Sequence, residues 1–265
     1  MPELPDVEGF RRYWSATALH QAIVSVEVRA PGLLEGVSEA AMNRRLVDRA
    51  FASAHRHGKW LFVEVTRDGY LALHFGMTGG LAYFKAPAEA HRHARMVLDF
   101  DTGYRLAYIA ARKLGHLALA DDIAAFCRKR GLGPDALRIG RDSFVEQLGR
   151  RRGRIKTALM GQDLVAGLGN VWVDEALFQS GIHPETPCHR LPRRTLERLY
   201  RVMRRVLRVG IREAIQGGGF PSGYLRGHRT EGEPCPRCGM PLRRLRINQR
   251  STYYCPRCQG ESGAK

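Results

Sequence analysis

Trp60-Leu61-Phe62-Val63-Glu64-Val65-Thr66-Arg67-Asp68-Gly69-Tyr70-Leu71-Ala72-Leu73-His74-Phe75 decides the fold class of the first half of the chain. Two runs rich in β-branched and aromatic residues flank Arg67-Asp68-Gly69, a turn signal, and this is how neighbouring antiparallel strands read. The pattern extends outward in both directions. Ile23 to Val28, Met96 to Phe100, Tyr104 to Ile109 and Leu117 to Leu119 are further short β-prone runs, and Asp101-Thr102-Gly103 is a second turn. Many short strands separated by turns predict an antiparallel sandwich or barrel. Ahead of them Val7, Phe10 and Trp14 recur at helical spacing, which predicts a helix from residue 6 to about 19.

From about residue 121 the strand signal stops. Leu132-Gly133-Pro134-Asp135 reads as a linker, and the chain is helical by pattern to about residue 215. Arg154 to Met160 and Trp172 to Phe178 flank a segment running from Gly161 to Asn170. Its glycines at 167 and 169 permit positive φ or close backbone approach, and Asn170 can donate from its side chain. By turn composition alone it is an ordinary helix connection. Further on, Arg194, Arg198, Arg201, Arg205, Arg208 and Arg212 recur every three or four residues and form one helical stripe. A solvated face and a phosphate-binding face explain such a stripe equally well.

The 265 residues, 44% of them hydrophobic, suffice for two domains and a small module. The boundaries expected are 1–120 for the β-domain, 121–141 for a linker, 142–230 for the helical domain and 231–262 for the module. Lys and Arg outnumber Asp and Glu by 43 to 26, a formal charge of +17. That is the footprint of a polyanion binder, with nucleic acid the first candidate and a membrane surface the second. No apolar run reaches the roughly 18 residues of a membrane span, and no basic segment with an apolar stretch opens the chain. A soluble cytoplasmic protein is expected.

Of six cysteines, Cys127 and Cys188 stand alone. The others form Cys235-Pro-Arg-Cys238 and Cys255-Pro-Arg-Cys258, two knuckles with the spacing of a four-thiolate zinc site. Two disulfides would fit the count, but they are rare in a reducing compartment. With four protein ligands and no open position, one Zn2+ here would be structural. Leu242, Leu245 and Ile247, then Thr252, Tyr253 and Tyr254, read as two strands around Asn248-Gln249-Arg250-Ser251, a β-hairpin zinc finger whose turn carries Arg250. At the other end, removal of Met1 would leave Pro2 as a free secondary amine with Glu3 beside it as a proton donor. An α-amino group titrates near 7.7 to 8.0, about two and a half units below lysine, so it is an available nucleophile near neutrality. Pro and acids at a helix start are also ordinary N-terminal chemistry.

Several pieces in order give the chain its resemblance. These are Pro2-Glu3-Leu4-Pro5-Asp6-Val7-Glu8, His57-Gly58-Lys59-Trp60-Leu61, His74-Phe75-Gly76-Met77-Thr78-Gly79, Val165 to Asn170 running into Asp174-Glu175-Ala176-Leu177-Phe178, Gly181-Ile182-His183-Pro184, and the finger with Arg250-Ser251-Thr252. Over nearly its whole length the chain resembles the bacterial formamidopyrimidine-DNA glycosylases, of the family that also contains endonuclease VIII.

The resemblance implies an α+β multidomain fold: an N-terminal β-sandwich with the terminal helix, a helix-two-turn-helix domain and a C-terminal zinc finger, with damaged double-stranded DNA in the cleft between the halves. It implies a monomeric bifunctional glycosylase and AP lyase. Pro2 is the nucleophile, Glu3 the acid that assists opening of the sugar, and Lys59 the residue that supports elimination and holds a phosphate. Arg250 and Asn170 clamp the phosphates flanking the lesion, and His93, Arg112, Arg151 and Lys156 contact the backbone. Met77, Arg112 and Leu114 fill the gap left by the extruded base, Leu114 standing where relatives carry Phe.

Asp6 replaces the commoner Glu, Ala110-Ala111 stands where an Asp often precedes the arginine, and 216–231 is shorter than the lesion-capping loop of purine-specific members. Formamidopyrimidines, hydantoins and abasic sites are therefore expected to react faster than 8-oxoguanine. The competing readings are a non-catalytic binder of abasic or distorted DNA, a glycosylase of endonuclease VIII-like pyrimidine preference, and a zinc-finger regulator. The regulator has no obvious recognition helix, and a binding module has no use for Pro2, Glu3, Lys59 and Arg250 together.

Overall fold

The structure, a computed structural model, describes residues 1–66 and 68–260. Arg67 of the first expected turn and residues 261 and 262 of the expected finger domain lie outside the described residues. The chain divides into two compact units, Met1–Pro2 with Asp6–Arg130, and Glu3–Pro5 with the chain from Gly131 onward.

The first unit opens with α1 (Leu4–Thr17) and continues through β1 (Ile23–Val28), α2 (Glu39–Leu46), β2 (Phe51–His57), β3 (Trp60–Val65), β4 (Tyr70–His74), β5 (Gly79–Lys85), β6 (Ala94–Phe100), β7 (Tyr104–Ala110), β8 (His116–Ala120) and α3 (Ile123–Lys129). Two antiparallel four-stranded sheets, ordered β1-β6-β7-β5 and β2-β3-β4-β8, form the sandwich that the strand pattern predicted. One cluster joins their inner faces to the helices, with Val7 and Trp14 of α1, Met42 of α2, Phe51, Val63, Leu71 and Leu73 of one sheet and Met96, Leu98 and Tyr108 of the other all enclosed. The central strands are buried over consecutive residues, as in Trp60 to Val63 of β3 and Leu71 to Leu73 of β4, so these strands are covered on both faces.

Three elements escaped the sequence pattern. Strand β2 reads Phe-Ala-Ser-Ala-His-Arg-His, small and polar on its outer face, and is held by pairing with β3. Strand β5 begins with Gly79-Gly80 and pairs with β7 over its whole length. Helix α2 is short but capped, the Ser38 hydroxyl accepting from the Ala41 amide at 3.2 Å. In the segment 121–141, α3 is likewise capped by Asp122, and Ala136 and Ile139 are buried in the second unit.

The second unit holds α4 (Arg141–Gly149), α5 (Ile155–Met160), α6 (Asn170–Ser180), α7 (Arg193–Gln216), β9 (Arg243–Ile247), β10 (Arg250–Tyr254) and α8 (Pro256–Gln259). Helix α6 is apolar on nearly all sides and is covered by α5, α7 and the β10 hairpin. Its contact with α7 is close enough that a Cβ on Gly210 would overlap the Trp172 ring, so α7 needs glycine there. Strands β9 and β10 pair as a hairpin with a two-residue turn, Asn248 (φ 47°) and Gln249 (φ 59°), the left-handed pair typical of tight hairpins. Arg250 therefore lies one position past the turn, paired with Ile247, rather than within it.

Candidate active site and metal centre

In the second unit the Glu3 side chain is buried and lies over the start of α6. Its Oε1 accepts the Val171 amide at 3.1 Å and its Oε2 the Trp172 amide at 3.3 Å. These are first-turn amides with no intrahelical partner, and the positive end of the helix dipole favours an anion there. Gly169 makes the approach possible, because a Cβ at this position would overlap the Glu3 carboxyl carbon. The Leu4 amide donates to the Gly167 carbonyl at 3.1 Å, which ties the terminal segment to the same loop. Gln162 braces that loop from beneath: its amide nitrogen donates to the Met160 and Leu168 carbonyls, and its oxygen accepts from the Gly167 amide. The glycine-rich connection between α5 and α6 is thus a built seat for Glu3.

The hairpin is fastened to the same helix. Asn170 donates to the Ser251 carbonyl at 3.0 Å, and Asp174 accepts from the Tyr253 amide at 3.3 Å. Asp174 is enclosed between two cations, Lys156 Nζ at 2.6 Å and Arg229 Nη1 at 2.6 Å, and Lys156 also donates to the Thr252 hydroxyl at 2.7 Å. Burial pushes the Asp174 carboxyl up and the Lys156 ammonium down, and their contact opposes both. Lys156, expected at the DNA backbone, is 0% exposed here, so a phosphate cannot reach it, and its ammonium instead holds the finger to α6. Arg250 projects from this clamped hairpin, exposed and with no side-chain partner among the described residues. Arg151 is exposed and paired to Asp163 at 2.7 Å, a surface pair worth about 1 kcal/mol or less that an incoming phosphate can displace.

Two carboxylates that sequence reasoning left without a role also position this region. Asp174 is one, and Glu175 is the other, accepting from the Arg226 amide at 2.9 Å and from Gln179 at 2.8 Å. Burial raises the Glu175 carboxyl. Their signal was two adjacent acids inside an otherwise apolar helical run, a costly arrangement unless each acid has partners.

The finger brings Cys235, Cys238, Cys255 and Cys258 together, all four sulfurs lying within 4.8 Å of one another. Three Sγ separations are 3.9, 3.5 and 3.6 Å. A tetrahedral zinc with bonds of about 2.3 Å sets its sulfurs about 3.8 Å apart, so the residues fit the ion. The four thiolates form one structural zinc site.

In the first unit Lys59 is half-buried at the reversal between β2 and β3. Its turn is held from α1, since Glu8 accepts from Arg56 Nε at 3.2 Å and Arg56 Nη1 donates to the Gly58 carbonyl at 3.1 Å. Pro2 is half-buried, with Met1 still attached. Met77, Arg112 and Leu114 come together on two loops. A Cβ on Gly76 would strike the Leu114 carbonyl, and the Arg112 amide donates to Thr78 Oγ1 at 3.3 Å. Leu114 is 46% exposed and Met77 half-exposed, so neither side chain is enclosed in the core. The Arg112 guanidinium has no partner among the described residues, in keeping with alanine at 110 and 111. His93 stands half-exposed beside Arg95, and its pKa is lowered by loss of solvation and by the neighbouring cations. His74 is half-buried and accepts the Gly76 amide at 3.3 Å; loss of solvation, with His116 and Lys59 nearby, lowers its pKa to about 4.

Three family models match in sequence order: the formamidopyrimidine-DNA glycosylase N-terminal domain over residues 1–117, the H2TH domain of the same enzymes over 131–220, and the zinc finger found in FPG and IleRS over 232–260. The formamidopyrimidine-DNA glycosylase of Pelotomaculum thermopropionicum is 34% identical, covering 98% of this chain and 99% of its own length, and that of Solibacter usitatus is 35% identical with the same coverage. Among solved structures, a Lactococcus lactis FPG point mutant in complex with Fapy-dG DNA superposes with a TM-score of 0.89 at 28% identity, covering 98% of this chain and all of its own. A MutM complex with carbocyclic 8-oxo-G DNA gives the same values. Matched end to end in this way, the chain belongs to the formamidopyrimidine-DNA glycosylase family.

Proposed function

We propose that the protein excises oxidised or ring-opened bases from double-stranded DNA and then cleaves the strand by β,δ-elimination, as a monomeric cytoplasmic enzyme of base excision repair. The observation that carries this reading is the Glu3 carboxylate, fixed on two amides of α6 and adjacent in sequence to Pro2. A protein that merely bound DNA would have no use for a buried acid next to a latent amine. The relatives' complexes with Fapy-dG, carbocyclic 8-oxo-G and abasic-site DNA support the same substrate class.

Once Met1 is removed, the uncharged Pro2 nitrogen attacks C1′ of an extruded nucleotide. The glycosidic bond breaks and the base departs, taking up a proton. The Glu3 carboxylate takes the proton that the Pro2 nitrogen sheds after its attack and passes it to the sugar ring oxygen as the C1′–O4′ bond opens, leaving an iminium at C1′. This iminium is an electron sink: loss of a C2′ proton expels the 3′-phosphate, and a second elimination expels the 5′-phosphate. Lys59 supports the elimination and holds a phosphate, Arg250 and Asn170 hold the flanking phosphates, and His93, Arg112 and Arg151 touch the backbone. Met77, Arg112 and Leu114 fill the vacated stack. Zinc supplies no chemistry and keeps Arg250 in place.

Borohydride should trap a covalent adduct with abasic-site duplex, and peptide mapping should find it on Pro2. An adduct mapped to a lysine rejects the assignment, and Pro2→Gly should trap poorly. For the lesion itself, the segment after α7 offers only Gly217-Gly218-Gly219-Phe220-Pro221 where purine-specific members carry a long loop. With fewer contacts to the base, discrimination rests on how readily a lesion unstacks and how labile its bond is. Single-turnover rates should therefore be higher for formamidopyrimidines and hydantoins than for 8-oxoguanine opposite cytosine; equal rates would remove this role from the short loop.

A further inference from the structure

The arginine stripe of α7 has no part in the reaction above. All six of its members, Arg194, Arg198, Arg201, Arg205, Arg208 and Arg212, are exposed. None has an ion-pair or hydrogen-bond partner among the described residues, whereas other arginines of the same helix are engaged. Arg193 pairs with Asp142 and Glu197, and Arg204 donates to the Leu137 carbonyl at 2.6 Å. The opposite side of α7 carries Leu196, Leu199, Met203, Val206, Leu207 and Gly210 into the core, where it packs on α6 and α4. The stripe therefore looks away from α6 and from Asn170 at its N-terminus.

A helix face that serves only solubility mixes signs, because acids three or four residues from a base stabilise the helix and like charges at that spacing destabilise it. Here the intervals run 4, 3, 4, 3, 4 with one sign throughout, and Glu197 at the flank is already held by Arg193. The 19 residues from Arg194 to Arg212 extend about 27 Å along a straight axis. A rod of guanidinium groups of that length suits a regular line of phosphates. It does not suit a membrane, since an interfacial helix needs a free apolar face and this one has spent its apolar face on the core.

We infer that the arginine face of α7 is a second DNA-backbone surface, which holds a duplex segment other than the one bearing the lesion. The inference rests on the DNA-repair reading above. Its test uses the full-length zinc protein saturated with a short duplex containing a tetrahydrofuran abasic analogue, to which a labelled undamaged duplex is then added. The wild-type complex should capture the second duplex at low salt. Replacing Arg198, Arg201, Arg205 and Arg208 together by Gln should weaken that capture by about tenfold or more, while replacing the same four by Lys should retain most of it. Base removal from a short lesion duplex under single-turnover conditions should be unchanged in both variants.

Capture by the Gln variant equal to that of wild type, or no capture by wild type, overturns the inference. So does a fall in base removal by a normally melting Gln variant, which would assign the stripe to the lesion site. Loss of binding to phosphatidylserine vesicles with duplex capture intact would give the face to a membrane instead. Failure of the wild-type protein to remove any base counts against the enzymatic reading and leaves the capture result to be judged by itself.

Discussion

At the scale of single residues, the proposed chemistry depends on where a few charges are allowed to sit. Glu3 and Pro2 could be picked out from the chain's first residues, but the seat of Glu3 could not. That Gly169 must lack a side chain, and that two amides of α6 await a carboxylate, follow only from a contact between residues 168 positions apart. Lys156 shows the opposite failure. A lysine in a basic chain reads as surface, since lysines are seldom fully buried, and spacing says nothing of the buried Asp174 that makes burial tolerable. His74 offers a test at this scale. In the unfolded chain its imidazole takes up a proton below about 6.5, whereas the folded protein keeps it neutral down to about 4. Stability should therefore fall as pH drops through that window, by on the order of 3 kcal/mol in all, and lose nothing more from this group below it. Protonation also removes the acceptor for the Gly76 amide in the loop that carries Met77. Thermal melting between pH 7 and pH 4 should show a shallower decline for His74→Gln than for wild type; parallel profiles would acquit this histidine.

Among the elements, those with strong local signals were legible and those made by pairing were not. The β-prone runs at 60–65 and 70–75 correspond to β3 and β4, and the long periodic pattern near 200 to α7. Strands β2 and β5 lack apolar alternation and exist because β3 and β7 supply hydrogen-bonding partners. The finger was legible from four cysteines, yet its attachment was not, for that depends on Asp174 holding Lys156, Arg229 and the Tyr253 amide at once. Two variants separate metal from attachment. Cys238→Ser should release zinc, because a small hairpin has little core of its own and folds on its metal, and DNA binding should weaken while the sandwich stays folded. Asp174→Asn should keep the zinc but weaken binding as well, because it leaves the buried Lys156 and the half-buried Arg229 without their counter-charge, a change that costs about 3–5 kcal/mol when a buried pair is broken. Metal analysis beside binding on an abasic-analogue duplex checks both. Full affinity in Asp174→Asn would show that the hairpin needs no such anchor.

For the whole molecule, the formal charge of +17 announced a polyanion partner before any motif was read, but net charge cannot say which cations do the binding. The structure divides them. Arg45, Arg56, Arg105 and Arg229 are paired with carboxylates on the protein, while Arg112 and Arg250 have no side-chain partner among the described residues and Arg151 has only a displaceable surface pair. In the proposed mechanism Lys59 also holds a phosphate. Each cation that neutralises a phosphate on duplex DNA contributes about −0.9 to the slope of log K against log salt. Four such contacts, from Lys59, Arg112, Arg151 and Arg250, give about −3.6, a loss of roughly a hundredfold in affinity between 50 and 200 mM salt. A duplex just long enough to span the lesion should show that slope. Arg250→Gln should make it shallower by about one unit and Arg56→Gln should not, since Arg56 is already committed to Glu8 and Gly58. Titrations at four salt concentrations are sufficient, and a slope near zero on such a duplex would mean that the exposed cations are not aimed at DNA.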